Sequence, residues 1–130
     1  MTTDSHWRKR ARANLEGAGQ LLSVANFEIP AASRNYYALF QAIIAVLTEG
    51  GKRPNDFKKD AAWWRHEIVE NDLKALPDLR RCSPDLRMLF KRLRARRETA
   101  DYGPDFPNHD DVREDHGALR PMLARLGVNL

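Results

Sequence analysis

AASRNYYALFQAIIAVLTEGG, residues Ala31 to Gly51, is the stretch whose pattern decides the fold. Tyr36, Phe40, Ile43, Ile44 and Leu47 recur at spacings of three and four, the period that gathers side chains on one face of a helix. Pro30, just before it, fits a first helical turn, where a missing N–H is not needed, and no further breaker follows through Glu49. Gly50-Gly51 supply the stop, because glycine accepts the left-handed conformation that closes a helix.

The same reading extends in both directions. Upstream, Leu15, Ala18, Leu21, Leu22 and Ala25 make the stripe of a first helix from Ser5 to Ala25. Arg8, Lys9, Arg10 and Arg12 on its first turns oppose the helix dipole and call for an anionic contact or allow fraying. Gly17 and Gly19 weaken this helix unless close packing uses their small size.

Downstream, Lys52 to Asp60 reads as a loop around Pro54-Asn55-Asp56, and Ala61 to Leu76 as a third helix with Trp64, Ile68 and Leu73 inward and Pro77 as its end. Ser83-Pro84-Asp85 is a start signal for a fourth helix running to Tyr102, with Leu86, Leu89, Phe90, Leu93 and Ala100 inward. Gly103 to Asn108 is a break, after which Asp110 or Asp111 caps a last helix to Leu126 that Pro121 would kink or divide. No strand-like alternation and no repeat occur. The expected fold class is all-α, an antiparallel up-and-down bundle of four main helices with a short C-terminal helix.

A chain of 130 residues, 42% hydrophobic and 31% charged, suits a single domain over 1–130 and argues against disorder. No apolar run approaches a membrane span, and Met1 to Arg12 is polar and basic with no signal-peptide core behind it, so a cytoplasmic protein is expected. Cys82 is the only cysteine, which excludes an intramolecular disulfide and a cysteine-based zinc site. A Gly-rich phosphate loop is also missing, which counts against a nucleotide-binding enzyme. The net charge of +4 is unevenly spread: Arg80 to Arg97 holds eight Lys/Arg against Asp85, while Glu98 to His116 holds seven Asp/Glu against Arg113. A basic helix followed by an acidic segment can bind phosphate, or the second can neutralise the first from within.

Two runs carry a resemblance. Ser33-Arg34-Asn35-Tyr36-Tyr37-Ala38-Leu39-Phe40-Gln41-Ala42 resembles the YYA-F-A helix of small prokaryotic HEPN proteins, and Arg97-Glu98-Thr99-Ala100-Asp101-Tyr102 resembles their R-x-x-A-D-Y ending, with His66 between them. The resemblance implies a bundle of four or five helices, commonly a homodimer, often encoded beside a minimal nucleotidyltransferase as a toxin–antitoxin pair or found in other defence systems. Active ribonucleases of that family have an arginine, four to six spacers and a histidine. Here Arg97 is followed by Asp101 and Tyr102 where the histidine is expected, and none of the four histidines has an arginine at the required distance upstream. A carboxylate does not readily replace imidazole as a proton shuttle near neutral pH.

Two readings of function follow. One is an interaction module that binds a protein partner, such as a nucleotidyltransferase, and RNA, without a complete catalytic centre. The other is an atypical metal-independent ribonuclease whose site His66, Arg97, Asp101 and Tyr102 assemble in three dimensions. Arg97 and Asp101, four apart, either form an intrahelical ion pair or line a groove. Five cations in the seven residues Lys91 to Arg97 are either a solvated face or an attractor for RNA or an acidic partner. Lys91, Arg94 and Arg96, with Arg34 and Tyr37 of the second helix, are the candidate RNA- or partner-binding residues. Of the adjacent pairs Tyr36-Tyr37 and Trp63-Trp64, one member each faces inward and the other is left for an interface or groove. No metal and no cofactor is expected.

Overall fold

A helix as apolar as Ala31 to Leu47 has to be covered by others, and the computed structural model, which describes residues 6–24, 26–71, 73–104 and 106–130, builds the fold around it. The helices are α1 (His6–Leu22), α2 (Glu28–Glu49), α3 (Pro54–Phe57), α4 (His66–Asn71), α5 (Pro77–Arg80), α6 (Asp85–Tyr102) and α7 (His109–Arg125). Helix α2 packs against α1, α4, α5, α6 and α7. Tyr36, Leu39, Ile43, Ile44 and Leu47 of α2 are fully buried with Leu15 of α1, Leu79 of α5, Leu86, Phe90 and Leu93 of α6, and Leu119 and Leu123 of α7. The described residues form the all-helical bundle that the apolar spacings imply, with no strand.

Which helices are long differs from the expectation. Ser5 and Ala25, the expected ends of the first helix, lie outside the described residues. The third helix shrinks from Ala61–Leu76 to His66–Asn71. Asp60 takes a left-handed φ of 67°, and Trp64 packs on Phe57 with ring centroids 5.8 Å apart and both against the core, so the chain before His66 is an irregular segment anchored by these two rings instead of a helix. Pro77 does not end the third helix, which stops at Asn71; it opens α5 at its first position, after an extended Leu76.

The final helix, expected to be short and divided, has 17 residues. Its N-cap is Asn108, not Asp110 or Asp111: the Asn108 side chain accepts from the N–H groups of Asp110 (2.8 Å) and Asp111 (3.3 Å). Pro121 is tolerated because it lies on the open side of α7, while Leu119, Met122 and Leu123 continue the buried stripe past it. At the start of α6, Ser83 provides no side-chain cap; the N–H of Leu86 donates to the carbonyl of Cys82 at 2.8 Å instead.

Three smaller features of the sequence find their use. Helix α2 closes at Gly51, whose φ is +80°, with the N–H of Lys52 donating to Leu47 C=O at 2.9 Å. Arg8 pairs with Glu49 and donates to Leu126 C=O at 3.1 Å, and Arg12 donates to Asn129 C=O at 3.4 Å, so internal acceptors meet part of the cationic first turn of α1. A Cβ at Gly17 would stand 3.0 Å from the Arg34 guanidinium and one at Gly19 3.3 Å from His116 Nε2, so both glycines serve close packing.

Among the described residues, two polar ones lie inside the bundle, Asn35 and Asp115. Asn35 donates from Nδ2 to Val112 C=O (3.3 Å) and accepts at Oδ1 from His116 Nδ1 (2.9 Å), joining α2 to α7. Asn35→Ala removes both links between α2 and α7 and takes the Nδ1 partner from His116, and should lower the unfolding free energy by about 1–3 kcal/mol in urea denaturation; a loss too small to measure would show that the pair does not hold α7 in place.

Candidate functional site

The residues with chemistry meet where α4 crosses the first half of α2 and the second half of α6. Adjacent tyrosines on α2 point in different directions: Tyr36 is fully buried, and Tyr37 lies half-buried beside it, ring centroids 5.3 Å apart. Because α4 begins at His66, the imidazole is the first side chain that helix offers to the bundle. Its ring lies 5.2 Å from both Tyr36 and Phe40 and 6.3 Å from Tyr37, and its Nδ1 is hydrogen-bonded to the Tyr36 hydroxyl.

Arg97 arrives from α6. Its guanidinium carbon stands 5.0 Å from the centre of the Tyr37 ring and 5.5 Å from that of Tyr36, within cation–π range. Its Nε is buried without a hydrogen bond; the Asp101 carboxylate, one turn on, lies 3.4 Å away as an ion-pair partner. His66 and Arg97 are thus brought to one cluster through the Tyr36 ring, although 31 positions separate them in the sequence. Tyr102 is 78% exposed at the end of α6, and among the described residues makes no ring contact with the cluster.

Burial and cations set the protonation states. Burial first, then the nearby charges of Arg97 and Arg94, hold the His66 pKa below its ordinary 6.5. Burial pushes the Tyr36 hydroxyl well above the ordinary phenol range, against an opposing pull from the same two arginines. Near neutral pH the pair is therefore a phenol and a neutral imidazole. The protonated hydroxyl can donate to Nδ1, which puts the ring's proton on Nε2. In that tautomer His66 offers an N–H donor and no free lone pair.

The basic run of α6 is largely answered inside the chain. Arg94 pairs with Glu70 of α4 (2.6 Å) and with Glu98 (3.2 Å). Arg96 Nε binds Asp115 of α7 at 2.9 Å, with Asp111 3.6 Å away, and Arg92 Nε takes the other Asp115 oxygen at 2.9 Å. Asp115 is only 2% exposed, so these two arginines neutralise a buried carboxylate, and the bond raises the Arg96 pKa. Lys91 is exposed and makes no ion pair among the described residues. Arg34 lies elsewhere, over Gly17, where it lines a recess with Phe27 and Val24. Trp64 packs on the core, while Trp63 is 63% exposed under Arg65.

Sequence reasoning named His66, Arg97, Asp101 and Tyr37 but not the link between them. Tyr36 makes that link, and neither of two adjacent tyrosines announces which one faces inward. Glu70 carried no sequence signal, since its partner Arg94 lies on another helix. Among the described residues, no group of three or more His, Cys, Asp or Glu side chains is placed to hold a metal ion, and no helix is long and apolar enough to cross a membrane.

The depressed pKa of His66 makes the stability of the fold depend on pH. The unfolded chain takes up this proton more readily than the folded one, so stability is full above about pH 6.5 and falls as pH drops below it, through the folded-state value. Half-buried His116, lowered by burial and Arg120, adds to the same fall. In an NMR titration His66 should titrate below 6.5, and in Arg97→Ala its midpoint should move up; an unmoved midpoint would mean that Arg97 is not electrically coupled to the ring.

A family model described as the HEPN domain matches residues 5–118 of the chain. No curated protein and no solved structure matches it.

Proposed function

The chain belongs to the HEPN domain family, and from that premise we propose that it is the HEPN member of a toxin–antitoxin or other defence pair, a homodimeric module that binds a partner protein, such as a nucleotidyltransferase, and RNA. The family supports an RNA-related or toxin–antitoxin role in general. The observation that carries the finer reading is the state of His66. Its Nδ1 is bonded to Tyr36, its pKa is depressed, and the histidine that would follow Arg97 is replaced by Asp101 and Tyr102. Such a centre recognises better than it transfers protons: Arg97 keeps donors for an anionic oxygen, the Tyr37 face is there for stacking, and His66 offers an N–H. Arg97 and Tyr37 are the recognition residues of this reading, with Lys91, Arg94 and Arg96 along α6 and Arg34 on α2 as further contacts.

One observation favours a second reading, an atypical ribonuclease that cleaves RNA without metal. His66 and Arg97 share the Tyr36 ring, and the opposite imidazole tautomer would leave Nε2 as a base beside a guanidinium, with Asp101 and Tyr102 one turn away. Incubation of the purified protein with total RNA in EDTA, at low and moderate salt, separates the two. The module reading expects intact RNA from wild type, Arg97→Ala and His66→Ala alike, and RNA retention that weakens with salt and weakens about tenfold or more in Arg97→Ala. Cleavage by the wild type, lost in both variants, would overturn it in favour of the ribonuclease.

A further inference from the structure

The irregular segment before α4 carries more chemistry than the packing of Phe57 and Trp64 uses. Residues 52–67 hold five cations, Lys52, Arg53, Lys58, Lys59 and Arg65, against Asp56, Asp60 and Glu67. The Asp56 carboxylate accepts the Arg53 N–H at 2.7 Å, at the start of α3. Glu67 lies 3.9 Å from Lys58, with both side chains about half exposed. Arg65 also acts electrostatically on Glu67, so Lys58 and Arg65 converge at the start of α4. Among the described residues Arg53 and Lys59 are exposed and make no ion pair.

Trp63 stands among these charges. Its side chain is 63% exposed, whereas its neighbour Trp64 packs on the core. The Arg65 guanidinium carbon lies 5.3 Å from the centre of the indole, so a cation covers one face of the ring and the other is left open. Among the described residues between 52 and 71, Trp63 is the one exposed large hydrophobic side chain. A protein partner anchors on an aromatic that lies within an apolar patch. An indole ringed by cations, without such a patch, suits a ligand that is itself planar and anionic.

We propose that Trp63 is a stacking platform for an unpaired base of single-stranded RNA, with Lys58, Lys59 and Arg53 taking the neighbouring phosphates, an inference that rests on the RNA reading above and gives that RNA its strand state. A base in a duplex has both faces covered by its neighbours; an unpaired one is free to lie on the open face of the indole. Arg65 holds the ring from its other side, so less freedom is lost on binding. His66 follows Trp63 by three positions, at most about 11 Å of backbone, a distance that a few nucleotides bridge. A strand held at Trp63 is therefore within reach of the Tyr37 face and the donors of Arg97, and the platform extends the recognition site along the chain.

Fluorescence anisotropy of a labelled oligouridylate, and of the duplex it forms with oligoadenylate, tests the platform on wild type, Trp63→Ala, Trp63→Phe, Lys59→Ala and Glu67→Gln. Circular dichroism confirms that each of these exposed substitutions leaves the fold intact. Trp63→Ala should weaken single-strand binding about tenfold or more without changing its salt dependence, and Trp63→Phe, which keeps a ring, should stay within about threefold of wild type. Lys59→Ala should lower the salt slope by about 0.7, and Glu67→Gln, which removes the carboxylate facing Lys58, should tighten binding. The duplex should bind more weakly and be indifferent to Trp63→Ala. A single strand bound as tightly by Trp63→Ala as by wild type, or a duplex weakened to the same extent as the single strand, would overturn the platform while leaving the RNA reading standing. A wild type that holds no RNA at low salt would overturn that reading along with it, and retention of polyglutamate instead, lost in Trp63→Ala, would assign the indole to an acidic protein partner.

Discussion

Covering α2 is the constraint on which everything else depends. Thirteen of its twenty-two residues are buried, from Ala31 to Leu47, and they do not confine themselves to one narrow stripe: Ala45, Ala42, Leu39, Ile43, Leu47 and Ile44 between them span well over half of the helix circumference. A helix of that kind loses its hydrophobic stabilisation unless other elements close around it. The long α1, α6 and α7 do most of this, and the short α4 and α5 close what remains. The small residues matter as much as the large ones. Ala11, Ala18, Ala31, Ala38 and Ala42 have no exposed surface, so α1 and α2 meet closely, with Gly17 and Gly19 extending that contact to Arg34 and His116.

The way α4 closes the bundle is also what makes the candidate site. Because only His66–Asn71 of the expected third helix is helical, the imidazole enters at the helix start, over Tyr36 and Phe40, while Ile68 and Val69 behind it join the buried residues. Arg97 comes to the same rings from the other side, at the last two turns of α6. Three aromatic rings, one imidazole and one guanidinium therefore share a largely dry patch, where each charge acts on its neighbours with little screening. The opposite shifts of Tyr36 and His66 both have burial as their first cause, and both favour the neutral form.

Electrostatics across α6 follow a division of labour among its faces. Towards α7, Arg92 and Arg96 are used to hold the buried carboxylate of Asp115, which without them would be an uncompensated charge. Towards α4, Arg94 binds Glu70 and Arg97 covers the tyrosines. Outward, Arg87 and Lys91 remain exposed beside Met88 and Ala95. A run of cations that reads as one patch in the sequence is thus three surfaces, two of them turned to partners inside the chain and only the outward one open to other molecules in full.

Most of the architecture was legible in the sequence because it rests on local physics. The spacing of apolar residues, Gly50-Gly51, the Gly103 break and the start after Pro84 fix helix type and approximate extent for α1, α2 and α6 without reference to the rest of the chain. The motif residues and the lack of an arginine–histidine spacing are equally properties of the sequence alone. The length of α4, the continuity of α7 through Pro121 and the cap at Asn108 depend on what packs against those segments, and propensity does not contain that information. The site belongs to the same class. Its link is a contact among residues 36, 66 and 97, and the neutralisation of α6 by Asp111 and Asp115 is a contact between helices. The sequence by itself determined which side chains could share a helical face; which faces meet, and hence that Tyr36 joins His66 to Arg97, was decided only by the burial of α2 within the bundle.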